Sequence, residues 1–75
     1  MSDNVYQPSH YTAGKVECIE AIESAVAKLD GFEGYCIGNA IKYLWRWKMK
    51  NGTEDLRKAA AFIEILLRHL QESGV

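Results

Sequence analysis

Cysteine is scarce, and the two present make no motif: Cys18 and Cys36 stand far apart with no Cys-x-x-Cys spacing. That excludes a disulfide scaffold. His10 and His69 would add zinc-binding atoms, but without the paired short spacings by which zinc sites are recognised, so no metal site is expected. The opening "MSDNVYQPSH" lacks the apolar stretch of a secretory signal, and two unpaired thiols fit a reducing compartment, the cytoplasm. Long hydrophobic runs are also missing. The longest, "AAAFIEILL", is interrupted by Glu64 and is far too short to span a bilayer, so no membrane segment is expected. Neither charge is in excess: nine lysines and arginines against ten acids leave a net charge of −1, which gives no overall pull toward nucleic acid or an anionic membrane. No serine or cysteine nucleophile motif is present, and "GFEGYCIGN" has the glycines of a phosphate loop without its closing Gly-Lys-Ser/Thr. Strand-like alternation, internal repeats and low-complexity segments are likewise missing.

What remains is a 75-residue chain that is 48% apolar, enough for one folded domain and too short for two. A domain of this size buries only about 60% of its unfolded surface, so self-association is expected. Residues 1–15 are polar, carry the only proline, Pro8, and end in a turn near Gly14, which reads as an extended N-terminal arm. Residues 16–73 then form a single three-helix domain. Ile19, Ile22, Val26 and Leu29 fall at helical spacing and predict helix one over 16–29, after which "DGFEG" reads as a turn. Helix two is predicted over 34–50, stopped by Asn51 and Gly52. Thr53 is expected to cap helix three over 54–72, with Glu54 and Asp55 in its first turn, where the helix dipole favours negative charge. The short connection makes helices two and three an antiparallel hairpin, with helix one packed on it. The expected fold class is therefore all-α.

Helix two sorts its residues into two sides when each step advances about 100°. Ile37, Ile41, Leu44, Trp45 and Met49, with Gly34 and Gly38, read as the core face, the glycines permitting close helix approach. Helix three offers Leu56, Ala59, Ala60, Ile63, Leu66, Leu67 and Leu70 as its core stripe. The other side of helix two carries Tyr35, Asn39, Lys42, Tyr43, Arg46 and Lys50. One reading is a solvated face that keeps the helix soluble. The other is an anion site, in which Arg46 forks two N–H donors onto a phosphate, Lys42 adds a point charge, Asn39 an amide, and Tyr35 or Tyr43 a ring for a base. The absence of acidic residues over 34–52 favours the anion site. Off the stripe of helix three, Phe62 and Ile65 with His69 form a second apolar patch, expected at an interface between subunits. Glu17, Glu20 and Glu23 recur every third residue, as in the magnesium-holding helices of all-α nucleoside triphosphate pyrophosphatases. Those enzymes need a second acidic helix, and helix two is basic.

"PSHY", then "G" and "ECIEAIE", then "GNAIKYLWRWKMKNGTEDLRKA" together resemble a small family of bacteriophage and prophage proteins. It is the SaV-like family of unknown function, some of whose members bear the name phage nucleotide kinase. The resemblance covers nearly the whole chain, about 6–70. It implies a protein of the host-cell cytoplasm, related to a larger phage enzyme that phosphorylates deoxynucleoside monophosphates without a phosphate loop and assembles as a multimer. Carried over position by position, His10, Tyr11, Asn39, Lys42, Tyr43 and Arg46 would line the site. The resulting expectation is a homo-oligomeric protein binding a nucleotide or similar phosphorylated ligand through Tyr11, Tyr35, Asn39, Lys42, Tyr43, Arg46 and Lys50. In an enzymatic version His10 acts as acid or base, Arg46 and Lys42 stabilise the phosphoryl charge, and magnesium bridges the phosphates. Without catalysis, the chain would sequester a nucleotide signal. A different class of function is an interaction protein that inhibits a host enzyme through the Phe62 and Ile65 patch or through the aromatic-basic side of helix two. Nucleic-acid binding through Lys42, Arg46 and Lys50 is disfavoured by the neutral net charge.

Overall fold

The computed structural model describes residues 14–74; His10 and Tyr11, with most of the expected arm, lie outside the described residues. Three helices follow in order: α1 (Cys18–Val26), α2 (Gly31–Arg46) continued by a 3-10 turn (Trp47–Met49), and α3 (Thr53–Glu72). No strand occurs among the described residues. The all-α expectation holds, and the helix limits change for identifiable local reasons.

The "DGFEG" segment is the start of α2, not a turn. The Asp30 carboxylate accepts from the Glu33 N–H at 2.8 Å, and Glu33 Oε1 accepts from the Asp30 N–H at 3.1 Å. This reciprocal capping box starts the helix three residues before the expected one, so Gly31, Phe32 and Glu33 become helical. Helix α1 begins later, at Cys18, where the Glu17 N–H donates to Glu20 Oε1 at 3.1 Å. At the entrance to α3, the cap position expected of Thr53 belongs to Gly52, which adopts φ 62°. A residue with a Cβ is strained in that left-handed region.

The hairpin is antiparallel: Arg46 meets Asp55 beside the connection, Tyr43 and Tyr35 meet Phe62 further along, and Phe32 meets His69 toward the far end. Helix α1 packs on this hairpin chiefly through α2. The two glycines named for close approach face α1, Gly38 the more closely. A Cβ on Gly34 would lie 3.7 Å from Val26 Cβ, and one on Gly38 only 3.4 Å from Ile22 Cγ2.

The core coincides only in part with the expected one: Ala59 of the helix-three stripe is buried, but much of the rest is not. Its fully buried apolar residues are the small ones, Cys18, Cys36, Ala40 and Ala59, which let the helices come close. Leu44, Trp45 and Met49 of α2 and its 3-10 extension, with Ile63 and Leu67 of α3, are exposed instead. Hydrophobic periodicity marks an apolar side without saying which neighbour covers it. Here the side bearing Tyr43 and Arg46 turned toward α3. Both cysteines are free and buried, as expected of inert thiols. Burial pushes each thiol above its ordinary pKa, with the Lys42 charge partly opposing this at Cys18.

Candidate functional site

The side of α2 read as a candidate anion site is built into the seam with α3. Tyr43 stacks on Phe62 with ring centres 5.9 Å apart and planes 14° from parallel, and Tyr35 meets the same Phe62 edge-on at 5.5 Å. Phe32 lies 6.4 Å from Tyr35 and 4.4 Å from His69. The result is a continuous aromatic row, His69, Phe32, Tyr35, Phe62 and Tyr43, laid along two helices. Such contacts add about 0.5–1.5 kcal/mol per pair beyond the area they bury.

Positive charge collects at one end of this row. Lys42 Nζ stands 4.8 Å from the Tyr43 ring centre, Arg46 Cζ also 4.8 Å, and Lys58 Nζ 5.4 Å. The three cations differ in how firmly they are held. Arg46 is only 8% exposed and donates from Nε to Asp55 Oδ2 at 3.1 Å and from Nη2 to Oδ1 at 3.3 Å. Asp55 has no exposed surface at all, and Asn51 Nδ2 donates to its Oδ1 at 3.2 Å. Burial alone would raise the pKa of this carboxyl, but the hydrogen bonds from Arg46 and Asn51 and the guanidinium charge outweigh it and hold the carboxyl below its ordinary value. Breaking such a buried pair leaves a charge stranded in the interior. Lys58 instead bonds Glu54 at 3.3 Å, one helical turn away and in solvent. Exposed pairs of this kind contribute only about 0–1 kcal/mol, so Lys58 can change partners at little cost.

Of the residues singled out from the sequence, Tyr35, Lys42, Tyr43 and Arg46 converge. Arg46 arrives with its fork already occupied by Asp55, which is a structural role and not the open phosphate fork expected. The Asn39 side-chain amide donates to the Tyr35 carbonyl at 2.8 Å, closing on its own helix. Lys50 lies exposed beyond the 3-10 turn, past the Arg46 end of the row. Phe62 and His69, expected between subunits, pack on Tyr35, Tyr43 and Phe32 of the same chain, while Ile65 is exposed. Phe32 is not among those singled out; the sequence places Asp55 only in the first turn of helix three and Lys58 only beside the Phe62 and Ile65 patch, neither as part of the site. The signal for them existed in the hairpin itself: folding α3 back across Asn51 and Gly52 brings Asp55 opposite Arg46, and Lys58 follows one turn later. Among the described residues no three His, Cys, Asp or Glu side chains gather as a metal site, and no helix is long and apolar enough to cross a membrane.

An all-helical unit with an aromatic row ending in lysines defines a class: a small α-helical protein with a basic-aromatic surface seam. Residues 5–64 match the model of DUF3310, described as a protein of unknown function, and the chain belongs to that family. The gene 1.7 protein of Enterobacteria phage T3 is 35% identical over 74 residues, covering 92% of this chain and 45% of the phage protein. A protein of Escherichia phage T7 named nucleotide kinase gp1.7 is 35% identical over 72 residues, covering 89% of this chain and 36% of its own length. The chain thus spans less than half the length of these curated relatives. No solved structure matches it.

Proposed function

We propose that this protein binds a nucleotide or a similarly phosphorylated small molecule along the α2–α3 seam. The observation carrying this reading is the gathering of Lys42, Lys58 and Arg46 about Tyr43, at the end of an aromatic row that reaches the surface at Tyr35. Lysine ammoniums give phosphate its counter-charge, and rings beside them give a base its platform. Lys42 and Lys58 serve the phosphate better than Arg46, because using them leaves the buried Arg46–Asp55 pair intact.

The name nucleotide kinase borne by the phage T7 relative supports an enzymatic form, which the family resemblance would make a deoxynucleoside monophosphate kinase without a phosphate loop. There an acceptor phosphate oxygen would form a bond to the γ-phosphorus as the bond to the departing diphosphate breaks. Lys42 and Lys58 would neutralise the charge on the transferred group, and magnesium would be carried by the phosphate oxygens. A unit of this size needs a neighbouring subunit to hold a second nucleotide. The exposed Leu44, Ile63 and Leu67 support such a neighbour: the arithmetic of α2 and α3 puts them on the flank of the hairpin opposite Phe62 and Lys58, where a second copy of the chain would cover them. Incubation with ATP, magnesium and each deoxynucleoside monophosphate, read by diphosphate formation, tests the enzymatic form. Retained binding without turnover would leave a nucleotide-sequestering protein. No affinity for any phosphorylated compound would sink both and favour an interaction protein directed at a host enzyme.

A further inference from the structure

Resting on that reading, we infer that the ligand lies along the seam in one direction, with its base on the exposed ring of Tyr35 and its phosphates at Lys42 and Lys58. The sequence left Tyr35 and Tyr43 as equal candidates for the base. The structure separates them. Tyr43 is half-buried, stacked on Phe62, and crowded by three cations within 5.4 Å of its ring centre or less. A base placed there would have to displace either the Phe62 ring or the cations. Tyr35 is 56% exposed and is supported from beneath by the edge contact to Phe62 and the tilted contact to Phe32. Phe32 is itself held against His69, so the platform is braced from both helices.

The spacing along α2 matches a nucleoside carrying phosphates. Lys42 lies two helical turns beyond Tyr35, about 10 Å along the axis at 1.5 Å per residue. Lys58 faces the same ground from α3, paired with the exposed Glu54 and 5.4 Å from the Tyr43 ring centre. The platform is a π-face, which every base can use, so phosphate count and the presence of a base govern affinity more than base identity.

Calorimetric titration of the wild type, Tyr35→Leu, Tyr35→Trp and Lys58→Met with ATP and with inorganic tripolyphosphate tests the direction. Tyr35→Leu is expected to weaken ATP about tenfold, within the range for loss of one stacked base, while leaving tripolyphosphate unchanged. Tyr35→Trp should restore ATP affinity, and Lys58→Met should weaken both ligands. Equal ATP affinity for wild type and Tyr35→Leu, with Lys58→Met still weakening both ligands, overturns the direction and leaves the phosphate site standing. If the wild type binds neither compound, the ligand-site reading itself falls.

Discussion

At the scale of single residues, the Arg46–Asp55 pair decides how the basic side of α2 is to be understood. The absence of a carboxylate over 34–52 suggested cations without partners, yet Asp55 reaches Arg46 by folding back across the connection. Removing one member should be far worse than removing both. Arg46→Ala or Asp55→Ala is expected to lower the melting temperature by roughly ten degrees or more, since each strands a buried charge. The double variant Arg46→Met/Asp55→Leu should recover most of that loss. If the double variant melts as low as the singles, the pair is not the interaction that matters. The pH dependence follows from the direction of the shift. The Asp55 carboxyl is held below its unfolded value by Arg46 and Asn51, so its contribution is full above the ordinary carboxylate range and is lost as pH falls through the lower folded pKa. Thermal melts from pH 7 down to pH 2 should therefore show a steep acid loss in the wild type, and a shallower one in the double variant.

At the scale of elements, most of what positions the site is local chemistry that the sequence displays. The three helices and their order follow from apolar spacing, and the antiparallel hairpin follows from the short Asn51 and Gly52 connection. Less legible was the Asp30 and Glu33 box, because two glycines nearby read as a turn and concealed a cap. Harder still was which side of α2 would turn inward. Leu44 and Met49 look like core residues in isolation, and only the choice of neighbour makes Cys36, Ala40 and Ala59 the seam. The site was half visible for the same reason: Tyr35, Lys42 and Tyr43 belong to one helix and can be grouped by periodicity, whereas Lys58 and Phe62 join them only through tertiary packing. Two backbone positions test the arrangement. Gly52→Ala should cost about 1–3 kcal/mol in chemical denaturation, because φ 62° with ψ −134° is a conformation residues with a Cβ rarely adopt. Gly38→Leu should loosen α1 from α2, and Ile22→Ala in the same chain should relieve it, because a Gly38 Cβ points at Ile22. If Gly38→Leu melts with the wild type, α1 does not pack where the structure has it.

At the scale of the whole molecule, the described residues bury few large side chains and leave Leu44, Ile63 and Leu67 in solvent. A small unit with so little apolar burial is expected to recruit a second copy. Light scattering coupled to size exclusion should give a mass of at least two chains for the wild type and a smaller one for Leu67→Glu, which places a charge on the aliphatic flank. A wild-type monomer would leave that flank for another partner. The two sides of the hairpin would then have separate roles, aliphatic for assembly and basic-aromatic for ligand. The central claim is the ligand. Its most direct measurement is a thermal-shift titration of the wild-type chain with nucleoside mono-, di- and triphosphates beside Lys42→Met/Lys58→Met. Binding at 100 times the dissociation constant should stabilise the wild type by about 2.7 kcal/mol, with the shift largely lost in the double lysine variant. No shift with any phosphorylated compound, or an equal shift in both proteins, would contradict it.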